Sequence, residues 1–183
     1  MAGTTLMLVV HFLSMKVLAE CMPVEQFGVF ALLLVISQGF VVVSGMGMAL
    51  TLVKNISGDS DHARQQDVVS SVVLIRTLQL ILLTLLVETI GPRWIPYLFG
   101  VELADFVVFL PAMFALAIYR ETLFNVLQGQ QLFHWYALTK ILSAVMRLCV
   151  ILWLNHVGRL GVQELVWVEL ITSATTVSLL LYV

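Results

Sequence analysis

The residues able to do chemistry in this chain are charged and polar side chains set inside long apolar runs. Arg76 stands near the middle of one run, Arg147 near the middle of another, and Glu169 and His11 within two more. A charge at the centre of an apolar layer costs about 2.5 to 3.5 kcal/mol on insertion scales, so each needs an opposite charge or a wet cavity. Several belong to polar stripes at helical spacing. Glu121, Asn125 and Gln128 share one face, as do Lys140, Ser143 and Arg147; further stripes are Glu169, Thr172, Ser173 and Thr176, and Arg76, Gln79 and Thr84. If the stripes converge they line an internal hydrophilic cavity. Arg76, Lys140 and Arg147 would there offer cationic donors to an anionic group such as a phosphate, which the planar arginine fork bonds bidentately.

The competing reading pairs Arg76 or Arg147 with Glu169 or Glu121 and locks neighbouring helices together, and both readings stand at this point. For Arg120 and Lys140, within about two turns of a run's end, snorkelling toward headgroups is the favoured reading. His11 reads as a hydrogen-bonded packing residue, and Glu88, Glu102 and Asp105 as solvated groups beside a loop.

No motif of covalent or metal chemistry accompanies these residues. The sequence has no Gly-x-Ser-x-Gly elbow, no His-Glu-x-x-His and no Gly-rich loop ending in Lys-Ser or Lys-Thr. Ser44-Gly45-Met46-Gly47 resembles an intramembrane serine-protease motif only superficially, and no run offers it a general base. Cys21 and Cys149 sit in or beside apolar segments and read as packing residues, so no metal site, cofactor or disulfide framework is expected. An enzyme is not the reading.

Composition explains why those charges matter. Of 183 residues, 61% are apolar and 11% charged, whereas a soluble domain carries about 25% charge. The mean hydropathy is +1.04. So few charges cannot cover a water-soluble globule, and a formal net charge of −2 supplies no basic patch for nucleic acid. The segment Leu18-Ala19-Glu20-Cys21 faintly suggests a lipoprotein cleavage box. No Lys or Arg precedes its apolar run, however, and Glu20 stands where a small residue is needed.

The elements that must position the polar stripes are therefore membrane-spanning helices, each of about 20 apolar residues. Six windows qualify, at about 4–20, 27–52, 68–87, 103–128, 135–155 and 162–183. Turns are expected between them, over Cys21–Gln26, Lys54–His62, Gly91–Pro96, Gly129–Gln131 and His156–Gly161. The expected fold is all-α: a polytopic bundle of antiparallel neighbours, in one domain over residues 1–183. Continuous apolar runs argue against a β-barrel. Lys54, Arg64, Arg120 and Lys140, against Lys16, Arg93 and Arg159, lean toward an inside N-terminus. Gly39, Gly45 and Gly47 with Ser37 and Ser44 should let helices approach closely, and Pro111 should kink the fourth span. The last window ends in Leu179-Leu180-Leu181-Tyr182-Val183 without a polar tail, which implies a fragment or a lobe lacking its following half.

Three stretches resemble one known family. Leu18 to Leu32, with Glu25, Phe27, Gly28 and Phe30, is similar to the first connecting segment of the polysaccharide transporter family. These are the O-antigen-flippase-like members of the multidrug/oligosaccharidyl-lipid/polysaccharide exporter superfamily. Gly45 to Lys54 looks like its second-helix end, and Leu127-Gln128-Gly129-Gln130-Gln131-Leu132-Phe133 like its turn between helices four and five. Their order and spacing match an N-terminal lobe across nearly the whole chain. The family often has Arg where Glu20 stands and Gly-Pro where Pro23-Val24 stands, so no cationic site is carried over to the end of the first helix.

The resemblance implies transport of an undecaprenyl-pyrophosphate-linked oligosaccharide across the bacterial inner membrane by alternating access, for cell-surface polysaccharides such as the O-antigen of lipopolysaccharide. The implied partners are that lipid-linked oligosaccharide, membrane lipids, and a C-terminal lobe or a second copy. Arg76, Arg147, Lys140, Glu169, Glu121, Asn125 and Gln128 are the cavity candidates, on the membrane-cost argument and not on a motif. Two other readings stay open: a drug/cation antiporter half using Glu169 or Glu121 as its acidic site, and a non-transporting six-helix scaffold whose buried charges are structural pairs.

Overall fold

A computed structural model describes residues 2–45, 47–57, 62–99 and 101–182. Among these residues the chain is all-α, with helices α1 (Ala2–Cys21), α2 (Val24–Gly45), α3 (Met48–Ser57), α4 (His62–Phe99), α5 (Leu110–Gly129), α6 (Phe133–Val157) and α7 (Val162–Tyr182). A 3₁₀ segment, Val101–Phe109, joins α4 to α5. Met46, Gly58–Asp61 within the second expected turn, and the terminal Val183 lie outside the described residues.

Among the described residues, five stretches are long and apolar enough to cross a membrane: Val24–Gly45, Ala63–Gly91, Asp105–Gly129, Phe133–Val157 and Val162–Tyr182. Five of the six expected windows fall on these stretches. The first expected span is helical as α1, but Lys16 and Glu20 pair at 3.7 Å on its exposed last turns.

Three boundaries also differ from expectation. The second window is two helices, because the backbone at Gly47 adopts φ +76° between α2 and α3, a left-handed conformation that glycine takes without steric cost. The turn expected over Gly91–Pro96 is continuous helix, so α4 extends to Phe99 over 38 residues. At 1.5 Å per residue that is about 57 Å, well beyond the roughly 30 Å hydrocarbon layer. Pro111 stands inside the fourth span where the 3₁₀ segment gives way to α5, in a first helical turn whose N–H groups an α-helix leaves unused.

The remaining turns follow from local chemistry. Between α5 and α6 the Leu132 N–H donates to the Leu127 carbonyl at 2.9 Å. Helix α6 ends on Gly158 at φ +68°, with the Arg159 N–H donating back to Leu154 O at 3.1 Å, a closure that satisfies a terminal carbonyl.

Helix α5 is the hub and packs against α2, α3, α4, α6 and α7. Its Leu110, Phe114 and Ile118 are fully buried with Leu33 of α2, Ile151 of α6 and Val166 of α7. Phe40 and Phe114 rings meet at 4.7 Å, and Phe109 meets Trp167 edge-on at 5.6 Å. Toward α3 the approach is closer: a Cβ at Gly129 would stand 2.8 Å from Ile56 Cβ. On the outside, Phe12, Leu74, Leu82, Leu85, Trp153 and Leu181 are exposed. An apolar exterior of this kind faces lipid, where helices are held together by packing and polar pairs rather than by expulsion of water.

Candidate functional site

The polar stripes do converge. Helix α6 turns Tyr136, Lys140, Ser143 and Arg147 toward one cleft, at the i, i+4, i+7, i+11 positions of a single helical face. The antiparallel α5 contributes Arg120, Glu121, Phe124 and Asn125; α7 adds Glu169 and Thr172, α2 adds Gln38, and α1 closes the side with His11. The cleft holds about 880 Å³, within the usual range of ligand sites. Three cations, Arg120, Lys140 and Arg147, line it with two carboxylates, Glu121 and Glu169. The lining is thus net positive with His11 neutral.

At one end Glu169 is shared by two arginines. Arg147 Nη1 approaches Glu169 Oε2 at 3.3 Å and Arg120 Nη1 approaches Oε1 at 3.7 Å, with side-chain exposures of 13%, 22% and 12% for Arg147, Arg120 and Glu169. Arg120 also donates to Ser173 Oγ at 2.9 Å. The 3.3 Å contact is a charge pair without hydrogen-bond alignment, because Glu169 Oε2 and Arg147 Nη2 both lack a hydrogen-bond partner. Arg120 does not snorkel, as its sequence position suggested. On α7, Ser173 gives it a hydrogen-bond acceptor and Glu169 a counter-charge inside the bundle.

At the other end Lys140 folds back over two rings. Its ammonium stands 4.3 Å from the Tyr136 centroid and 5.1 Å from that of Phe124, inside cation–π range, and donates to the Tyr136 hydroxyl. The rings meet each other edge-on at 5.4 Å. Lys140 is therefore held in the cleft rather than extended to the interface.

Arg76 is corrected. It does not line the cleft but is 1% exposed between α4, α2 and α5, where Nη1 donates to Ser44 Oγ at 2.9 Å. A Cβ at Gly45 would stand 3.3 Å from Arg76 Nη2 and 3.8 Å from Glu121 Oε1, so the missing side chain at Gly45 lets guanidinium and carboxylate approach. Arg76 Nε, Gln79 Oε1 and Glu121 Oε2 are buried without hydrogen-bond partners. Gln128 is also outside the cleft lining, while Asn125, Lys140, Arg147, Glu121 and Glu169 are in it. Sequence reading missed Tyr136 and Phe124, and took His11 for a packing residue. The i, i+4 spacing of Tyr136 to Lys140 was the available signal.

Fold and cleft together define a multi-pass, all-α membrane protein with a charged internal cleft. Across residues 1–183 the sequence matches the family described as polysaccharide biosynthesis protein, and the chain belongs to that family. Comparison with curated proteins and with solved structures returns no match.

Proposed function

We propose that this chain is a transporter lobe that moves a lipid-linked oligosaccharide, carried on undecaprenyl pyrophosphate, across the bacterial inner membrane by alternating access. The observation that carries the reading is the net-positive cleft of about 880 Å³ set among membrane-spanning helices. Membership in a polysaccharide biosynthesis family supplies the cargo class. An anionic pyrophosphate would find cationic donors there, and the sugars would find the amide and hydroxyl groups of Gln38, Asn125, Ser143 and Thr172. Asn125 Nδ2 and Arg147 Nη2 have no hydrogen-bond partner in the protein, and a substrate oxygen would satisfy both. A C-terminal lobe or a second copy would complete the cavity, as paired repeats do in transporters.

The test fills the cleft. In cells that depend on this chain for surface polysaccharide, Ala144→Trp places an indole into the lining. With membrane levels unchanged, export should fall at least tenfold and the lipid-linked oligosaccharide should accumulate on the cytoplasmic face. Wild-type export from that variant would refute the reading and favour a scaffold whose charges are structural.

A further inference from the structure

The cleft's cations are not equivalent. Arg147 and Arg120 converge on one carboxylate, Glu169, at 3.3 and 3.7 Å. Among the described residues, no carboxylate lies within 4.0 Å of Lys140. Its contacts are the Tyr136 hydroxyl and two ring faces. An ammonium has three donors, and the Tyr136 hydroxyl takes one. Cation–π contact orients a charge without neutralising it. Lys140 is thus the cleft cation with no carboxylate beside it, whereas Arg120 and Arg147 share Glu169 and keep one positive charge between the two of them.

Its depth matters as well. Helix α6 begins at Phe133 and is 25 residues long, so at 1.5 Å per residue Lys140 lies about 10 Å from its start and Arg147 about 21 Å, past the midpoint. A lipid phosphate resides at the membrane interface, with its polyprenyl chain in the hydrocarbon layer. Entering near the α5–α6 turn, it reaches Lys140 before either arginine.

We infer that Lys140, braced by Tyr136 and Phe124, is the docking post for the anionic phosphate group of the substrate lipid, while the Arg120–Glu169–Arg147 cluster faces the uncharged sugars. This rests on the flippase reading above and assigns the polarity with which the substrate lies in the cleft. Phosphate could come from the substrate or from bulk anionic phospholipid, and the experiment separates these sources.

The full chain in phosphatidylcholine nanodiscs is titrated with fluorescent undecaprenyl pyrophosphate and, in parallel, with undecaprenol, which lacks phosphate. Lys140→Met keeps the reach and the ring contact; Lys140→Gln keeps a donor toward Tyr136; Lys140→Arg keeps the charge; Arg147→Gln removes the deeper cation. Expected are a tenfold or greater loss of pyrophosphate-lipid affinity in Lys140→Met and Lys140→Gln, recovery to within threefold in Lys140→Arg, and a smaller loss in Arg147→Gln than in Lys140→Met. Undecaprenol binding should be unchanged in all four. Wild-type affinity in both neutral variants, or a larger loss in Arg147→Gln, overturns the assignment to Lys140 and leaves the flippase reading standing. Loss of the Lys140 effect when one-third of the nanodisc lipid is phosphatidylglycerol shows that Lys140 reads bulk headgroups and also overturns it. Failure of the wild type to prefer undecaprenyl pyrophosphate over undecaprenol overturns the flippase reading itself, and the assignment with it.

Discussion

Glu169→Gln should destabilise this bundle more than removal of either arginine it holds, because two cations share this one anion. Taking the charges at the contacting atoms, separations of 3.3 and 3.7 Å give attractions of about 5 and about 4.5 kcal/mol at an effective dielectric of about 20. The two guanidinium nitrogens then stand no more than about 9 Å apart, allowing about 2.2 Å between carboxylate oxygens, and repel by about 2 kcal/mol on the same scale. Glu169→Gln removes both attractions and leaves that repulsion inside the bundle. Rehydration and relaxation return part of the loss, and breaking a buried pair from one side costs about 3 to 5 kcal/mol. Arg147→Gln removes one attraction and relieves the repulsion, while Arg120 and its Ser173 hydrogen bond still hold Glu169; its cost should be under about 2 kcal/mol. The double variant Arg147→Gln/Glu169→Gln should be about 1 to 2 kcal/mol more stable than Glu169→Gln alone, since an uncompensated charge has gone. Reversible unfolding in bicelles, followed by tryptophan fluorescence, gives all three values; Trp167 stands two residues before Glu169 in the sequence. A Glu169→Gln loss no larger than that of Arg147→Gln, or a double variant no better than Glu169→Gln, would refute the shared-anion account.

Two further substitutions probe the packing around the cleft. Gly129→Ala drives a methyl to 2.8 Å from Ile56 Cβ and should cost about 1 to 3 kcal/mol as overpacking; because alanine would keep that Cβ, the partner change is Ile56→Gly, on whose background Gly129→Ala should cost less than in the wild type in the unfolding assay, and an equal cost would mean that the contact is not the cause. Arg76→Met should lower stability by about 1 to 3 kcal/mol by leaving Glu121 buried without its nearby cation, yet keep undecaprenyl pyrophosphate affinity within threefold in the nanodisc titration, since Arg76 is outside the cleft. A tenfold loss of affinity would place Arg76 in the site.

What the sequence made legible was the facing of individual helices, and what it hid was their neighbours. The Lys140–Ser143–Arg147 stripe does line a cavity, because three residues at helical spacing must share a face whatever surrounds them. Arg76 obeys the same periodicity, but its face meets Ser44 and the close approach at Gly45, and nothing in the spacing along α4 announces which helix lies opposite. Arg120 was misplaced for the same reason: its distance from a helix end favoured snorkelling, while its acceptors, Ser173 and Glu169, come from a helix about 50 residues later. The break at Gly47 and the helix continuing through Pro92 were also obscured, since a glycine or proline inside an apolar run either interrupts a membrane helix or is absorbed by its neighbours. Tertiary packing decides between those outcomes.

The sharing of Glu169 also imposes an order on how the protein is made. Ribosomes deliver α5 and α6, with Arg120 and Arg147, before α7 brings their counter-charge, twenty-two residues after Arg147. At about 5 to 20 residues per second that interval is roughly 1 to 4 s. For that time two guanidiniums, each costing about 2.5 to 3.5 kcal/mol in lipid, have no partner in the chain already synthesised at the carboxylate position. Helices α5 and α6 are therefore poor candidates for release into the bilayer one at a time. They should linger beside the insertion machinery until α7 emerges and enter with it as a unit, so that the charge cluster at one end of the cleft also acts as a timer for assembly.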